Sequence, residues 1–284
     1  MSQQSESNTI KTIPKTYKLA LPFKKLNLST SDLLIGSILP IILIVVWEIL
    51  SKTGVFPVHQ LPAPSIIVQK IYSMLQDGSL WVHTGITFYR VLVGFFVGTA
   101  VAVIIGSFVG FFRLAERIID PLLQAFRSIP SLAWVPLFLL WLSFGEVSKI
   151  TLIAVGVFFP VYLNIVSGVK GVDRKLIEVG KIYGFSTFQL IKRIILPASL
   201  PSFLVGIRSG LGLGWMFVVA AELMGASKGL GYLLVFGQNM SSPDIIIASI
   251  ILFAILGKIT DAILKGIENK ALHWQDSLSS SNGK

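Results

Sequence analysis

Cysteine is absent from the 284 residues, which removes disulfides, thiolate metal sites and cysteine nucleophiles from consideration. Charge is scarce as well. Asp, Glu, Lys and Arg together make up 13% of the chain, against roughly 25% in an average soluble domain. The three histidines, His59, His83 and His273, are scattered without metal-ligand spacing and read as interfacial or tail residues. No G-x-x-x-x-G-K-[ST] loop is present to cradle nucleotide phosphates, and no H-E-x-x-H occurs. The spans described below hold no evident cluster of carboxylates. No catalytic residue and no metal site are therefore assigned.

What the chain has in quantity is apolar residues, 53% of the total. A bilayer core about 30 Å thick takes about 20 of them per helix. Six runs meet that length, approximately 33–50, 88–111, 124–144, 150–168, 199–223 and 244–264. They do not alternate apolar with polar residues as barrel strands do, so the expected fold is an all-α membrane protein with about six transmembrane helices. The third and fifth runs are the least clean, because Pro130, Pro136, Arg127 and Arg208 interrupt them. Residues 1–32 read as a polar tail, and the first run as an uncleaved helix, since no small-residue cleavage site follows it. After that helix, prolines 57, 62 and 64 force an extended crossing, and SIIVQKIYSMLQ has the spacing of an interfacial helix.

The net charge of +10 raises the question of nucleic acid, and its distribution answers it. With six spans and a cytoplasmic N-terminus, all 24 Lys and Arg residues fall on the inner side except Lys52, Lys70, Arg90, Lys149 and Lys228. The positive-inside rule expects that asymmetry. Basicity here reports orientation in a bilayer, with both termini cytoplasmic, and no nucleic-acid partner is assigned.

Within the spans, Gly94-x-x-x-Gly98, Gly106-x-x-x-Gly110 and Gly206-x-x-x-Gly210 place small residues one turn apart, the pattern of close helix packing in lipid. Charges at membrane depth are functional candidates. Arg208 lies about 14 Å into the fifth span, at about 1.5 Å per residue, where it would favour an anionic solute or else bond backbone carbonyls. Glu48 and Glu222 fall near the outer ends of their helices, within reach of headgroups or water. Trp134, Trp141 and Trp215 either line a path or anchor and pack their helices.

The loop between the fourth and fifth runs, about 169–198, is the longest inner connector and carries six basic residues. Asp173 is placed to N-cap a helix over RKLIEVGKIY, and Gly184 suits the left-handed position past its end. Ser186 and Gln189 form a capping-box pattern for a second helix, TFQLIKRII, expected to run to Leu196-Pro197. Leu176, Ile177, Val179, Ile182 and Tyr183 give the first helix an apolar side, opposite Lys175, Glu178 and Lys181. Such a helix either rests on lipid headgroups or docks to a soluble partner.

Glu178, then Gly184, then Ile194, Leu196 and Pro197 fit E-x-x-x-x-x-G followed by nine residues and I-x-L-P. This resembles the EAA loop of binding-protein-dependent ABC importers, with Val179-Gly180 where that family usually has two alanines. LPAPS at 61–65, RSIPSLAWVPLFLLW at 127–141, FFPVYLN at 158–164 and GASKGLGYLL at 225–234 are similar to the subfamily that imports sulfonates, taurine, nitrate, bicarbonate or thiamine-precursor-like compounds. The resemblance covers roughly residues 45–268. It implies the ABC transmembrane type-1 fold, divided into a tail at 1–32, a first helix and outer segment at 33–84, a core at 85–268 and a tail at 269–284.

It further implies a non-enzymatic permease subunit with no cofactor of its own, working with two copies of an ABC ATPase that binds the ATP. An extracytoplasmic solute-binding protein, a second copy of the chain and the lipid bilayer complete the set of partners. Glu178, Lys181, Gly184, Arg193, Ile194, Leu196 and Pro197 would form the ATPase-coupling loop, and Arg208, Trp134 and Trp215 the translocation path. The solute would be small and anionic (sulfonate or taurine, nitrate or bicarbonate) or a thiamine-precursor-like compound. An ATP-independent transporter or channel is the rival of another class; it would need intramembrane groups for ion coupling.

Overall fold

The computed structural model describes residues 30–274, and among them every regular element is helical. The first helix, α1 (Thr30–Lys52), leads to α2 (Pro64–Gln76), the expected interfacial helix, and to α3 (Ser79–Phe111). Then come α4 (Arg113–Ser128), α5 (Val135–Leu142) and α6 (Glu146–Lys170). The long connector holds α7 (Arg174–Ile182) and α8 (Thr187–Leu190), and α9 (Leu196–Leu223), α10 (Leu230–Asn239) and α11 (Pro243–Ala271) complete the described residues. Residues 79–111, 146–170, 187–223 and 243–271 are long and apolar enough to cross a membrane.

The bundle is built around α6. Parallel α3 lies against one side of it and antiparallel α9 against another, and glycines set both seams. A Cβ on Gly98 would run into the Ala154 carbonyl oxygen, and one on Gly110 would lie 3.1 Å from Val169. On α9, Cβ atoms at Gly206 and Gly210 would meet Asn164 and Val161 at 2.7 and 2.9 Å. Lipid gives no hydrophobic drive for helix association, so this close approach and the dispersion contacts it permits hold the three helices together. Val91, Ile153, Val157, Val161 and Val218 fill the seam and are fully buried.

A second, smaller core lies beyond the start of α6. There α2, the first turn of α3, α10 and the start of α11 enclose Met74, Leu80, Leu230, Leu233 and Ile245. We refer to this as the cap end, and to the opposite end, where α6 passes into α7, as the loop end. Helix α1 joins the rest at the cap end, where Glu48 accepts bonds from the Ser65 amide (3.0 Å) and hydroxyl (2.8 Å).

Two expectations change. The third run, 124–144, is not one helix: α4 stops at Ser128, Ile129 is extended, and a single 3₁₀ turn (Ser131–Trp134) intervenes before α5. Pro130 causes the break by excluding the residue before it from helical conformation. In the loop, the second helix does not end at Leu196-Pro197. It continues through a π turn, in which the Leu196 amide reaches back five residues to the Ile191 carbonyl, and merges with α9 into one helix spanning residues 187–223. The wider turn accommodates a proline that lacks the next amide donor.

Seam packing predicts opposite outcomes at two neighbouring glycines. Gly210→Leu should lose about 1–3 kcal/mol through overpacking, seen as a lower thermal midpoint in detergent. Gly212→Leu, where a Cβ meets nothing within 4 Å, should hold or raise it.

Candidate functional site

Local bonds fix the shape of the 171–198 connector. The Asp173 carboxylate accepts from the Lys175 amide at 2.9 Å and starts α7. At its end Gly184 has φ +74°, its amide donates to the Lys181 carbonyl (2.9 Å), and the Phe185 amide donates to the Gly180 carbonyl (3.0 Å). That is a Schellman turn, which needs the left-handed residue that glycine supplies. Ser186 and Gln189 then exchange bonds as a full capping box and start α8.

The turn folds α7 back on the helix that follows. Gly180 is buried against Leu190 and Ile194, and a Cβ there would lie 2.6 Å from both side chains. Arg193 lies over the Phe185 ring, 5.4 Å from its centre. Of the residues singled out in the loop, Ile194 is therefore half-buried in a hinge contact, while Glu178, Lys181, Gly184, Arg193, Leu196 and Pro197 are exposed. Beside Glu178 and Lys181 the loop presents Leu176, Val179, Ile182, Tyr183 and Phe188, with Ile182 83% and Tyr183 78% exposed. Exposed apolar side chains grouped in this way are the kind that meet another protein or a membrane surface.

The path candidates are not brought together. Arg208 donates to Asp261 through Nε (2.6 Å) and Nη2 (3.0 Å), with Glu268 3.7 Å from Nη1, so its charge is matched across α9 and α11. Trp215 is core: its indole N–H donates to Thr260 Oγ1 at 2.9 Å and its ring packs edge-on to Phe253. Trp134 stacks on Phe138 and, with Phe126, Phe158 and Phe159, lines an apolar groove of about 280 Å³.

The expectation that the spans hold no carboxylate cluster is overturned at the cap end. Arg90, 2% exposed, donates through Nε and Nη2 to both oxygens of Glu146 (2.7 and 2.6 Å). Its Nη1 donates to Glu222 Oε1 and to the Lys228 carbonyl, both at 2.7 Å. Glu222 reaches neither headgroups nor water. It is fully buried and also accepts from the Thr87 hydroxyl (2.9 Å) and the Gly231 amide (2.7 Å). The Leu230 amide donates to Thr87 Oγ1 (2.8 Å) and the Gly229 amide to His83 Nδ1 (3.0 Å).

His83, Thr87 and Arg90 share one face of α3, so a single helix holds the connector between α9 and α10 by its backbone. The sequence put Arg90 and Glu222 on the same membrane side but carried no local signal that they meet, or that Glu146 joins them. One string in that connector, Gly225 to Gly229, matches G-x-S-x-G. It joins two helices with no strand before it, and Ser227 has no hydrogen bond to His83, whose Nδ1 is taken by Gly229. The motif lacks the strand-turn-helix context that makes it a nucleophile, and the cluster is a structural latch.

Residues 98–273 match the family model of the binding-protein-dependent transport system inner membrane component. Over 242 residues, 85% of this chain and 88% of the relative, the chain is 43% identical to the putative aliphatic sulfonates transport permease protein SsuC of Bacillus subtilis (strain 168). It is 36% identical to the protein of the same name in Escherichia coli (strain K12), covering 83% and 90% of the two chains. The taurine transport system permease protein TauC of the same organism is 31% identical, with 83% and 87% covered. Among solved structures, a chain of the MetNI methionine ABC transporter in an inward facing conformation superposes with a TM-score of 0.58. Its identity is 20%, and 65% of this chain and 92% of that one are covered, a likeness of fold.

The latch predicts a non-additive pair of substitutions. Arg90→Met strands a buried carboxylate and should cost about 3–5 kcal/mol. Adding Glu222→Gln, which removes the charge and keeps an acceptor for Thr87 and Gly231, should restore part of that loss in a thermal-stability series.

Proposed function

Because the chain belongs to the binding-protein-dependent transport system inner membrane components and is thus a non-enzymatic, multi-pass permease subunit of an ABC importer, we propose that its α7–α8 loop is the docking site for the separate ATP-hydrolysing subunit. The observation that carries this is the apolar knob of Leu176, Val179, Ile182, Tyr183 and Phe188, left exposed by a turn that every local bond rigidifies. A loop that served only to connect spans would need neither a Schellman turn nor a capping box, and the burial offered by such side chains suits a protein cleft.

In this reading the loop end is cytoplasmic, as the distribution of Lys and Arg supports, and the cap end faces the solute-binding protein. Two copies of the chain enclose the path and two ATPase subunits bind the ATP. The solute is a small anion of the aliphatic sulfonate or taurine kind, supported by the names of the relatives. Closure of the ATPase pair displaces α7. The displacement reaches the membrane through the 187–223 helix, whose π turn at 191–195 lies where the loop meets the bundle.

Gly184 gives the direct test. Its Cβ position is empty to 4 Å, so a substitution acts through backbone strain alone, about 1–3 kcal/mol for a residue that avoids positive φ. Gly184→Val should abolish ATP-driven uptake of labelled taurine or ethanesulfonate, while Gly184→Asn, which tolerates the left-handed region, should retain most of it. Lys181→Cys in this cysteine-free chain should crosslink to a co-expressed ATPase subunit. Normal uptake by Gly184→Val, or labelling of the Lys181→Cys thiol from outside the cell, would overturn the assignment.

A further inference from the structure

Helix α4 is unlike the other membrane-depth helices among the described residues. Arg113, Glu116, Arg117, Asp120, Gln124, Arg127 and Ser128 fall within an arc of about 120° on a helix of 3.6 residues per turn, and the remainder of its surface is apolar. Helix α4 nevertheless runs into the bilayer. It starts at the loop end, where Glu116 pairs with Lys170 at the last turn of α6 (2.9 Å). It rises past Tyr162, whose hydroxyl donates to Asp120 at 2.6 Å. At its far end Phe126 shares a groove with Phe158, twelve residues from either end of α6. Arg127 is therefore close to the bilayer midplane, about 15 Å from either headgroup layer and beyond the reach of a snorkelling side chain.

The charges on this face do not cancel. Glu116, at one edge of the arc, is paired with Lys170, and Asp120, within it, accepts from the neutral Tyr162 hydroxyl, so three arginines share this face with one carboxylate that no cation of another helix meets. Among the described residues Arg117 and Arg113 have no ion pair, and Arg127 has only Gln124 Oε1 at 3.4 Å. Arg113, Arg117 and Arg127 are all exposed. Backbone polarity adds to theirs. Pro121 offers no amide to the Arg117 carbonyl, and the helix ends in the extended Ile129 and the Pro130 break. Arg117 and Arg113, ten and fourteen residues lower, lie near the headgroup level at about 1.5 Å per residue, but an unpaired cation at the depth of Arg127, with irregular backbone beside it, is not stable against lipid. Such groups occur where they are buried in protein or line water. Arg208, by contrast, meets its carboxylate within the chain.

We propose that the polar face of α4, from Arg117 through Gln124 to Arg127, lines the cytoplasmic half of the aqueous path and binds the anionic head group of the solute. The proposal rests on the permease reading. Its chemistry is that of a small oxyanion handed between guanidinium groups, each a fixed fork of donors matched to sulfonate or carboxylate oxygens. A cationic solute would be repelled along the same lane. The residual positive charge gives the permease an anion selectivity of its own, in addition to that of any binding protein.

Gln124, between the two arginines, allows a test without a known solute. In the assembled transporter, in membranes permeable from both sides, Gln124→Cys is treated with the anionic sulfonatoethyl and the cationic trimethylammonioethyl methanethiosulfonates. Both should react. Adding Arg117→Gln and Arg127→Gln should lower the anion-to-cation rate ratio about tenfold, as expected for two nearby partly screened charges. Leu122→Cys, on the opposite face, should stay unlabelled. No labelling at 124, or a ratio unmoved by removing the arginines, overturns the lane. Crosslinking at Lys181→Cys is read in parallel, so a chain that docks its ATPase but fails here loses only this proposal.

Discussion

The close approach of α3 and α9 to α6 is the contact on which the remaining features depend. Glycines spaced in fours on two helices, with Ala102 completing the α3 series, let backbones meet where larger side chains would hold them apart, and the result is a rigid three-helix spine. Rigidity gives the connector between α6 and α9 two fixed anchors, so a 25-residue helix and a 28-residue helix can carry a force applied at the loop. The same spine gathers Thr87, Arg90, Glu146 and Glu222 at the cap end, because the seams set the height at which α3, α6 and α9 present their side chains.

Charge is used in opposite ways at the two ends of the spine. At the cap end a buried arginine donates four bonds to two carboxylates and a carbonyl, and the amides of Gly229, Leu230 and Gly231 in the adjoining connector each find an acceptor in the cluster. Breaking such a network is costly because what remains is desolvated and unpaired. Towards the loop end, Arg208 is balanced by Asp261, while the arginines of α4 are left over. A membrane protein tolerates the second arrangement only where water or another chain covers it. The latch closes the fold, and the α4 face carries the polarity on which the proposed route for anions rests.

Much of this was legible in the residues. Four of the six apolar runs, 88–111, 150–168, 199–223 and 244–264, fall in helices long and apolar enough to cross a membrane, and Asp173, Gly184, Ser186 and Gln189 gave the caps and turn of the loop as the structure has them, because capping is local chemistry. Two local inferences failed for the same reason, the ambiguity of proline. Pro130 breaks its helix, whereas Pro197 is absorbed by a π turn, and nothing within a few residues of either distinguishes them. The latch was not legible, since Arg90, Glu146 and Glu222 lie 56 and 132 positions apart and meet only once the seams have formed. Helix α4 was hidden by a reading frame. A run scored for hydrophobicity from 124 to 144 discards the polar half of a helix that begins at 113, and so sets Arg127 down as an interruption when it is the deepest member of a stripe.

The central claim, that the α7–α8 loop seats the ATPase, is tested most directly by hydrogen–deuterium exchange of the permease in detergent or nanodiscs, with and without its ATPase subunit. Exposed amides of α7 and of the turn through Phe188 should slow on addition of the partner, while those of the connector at 224–231, already bonded within the latch, should not change. Equal exchange across residues 174–190 in the free and assembled states would contradict the account.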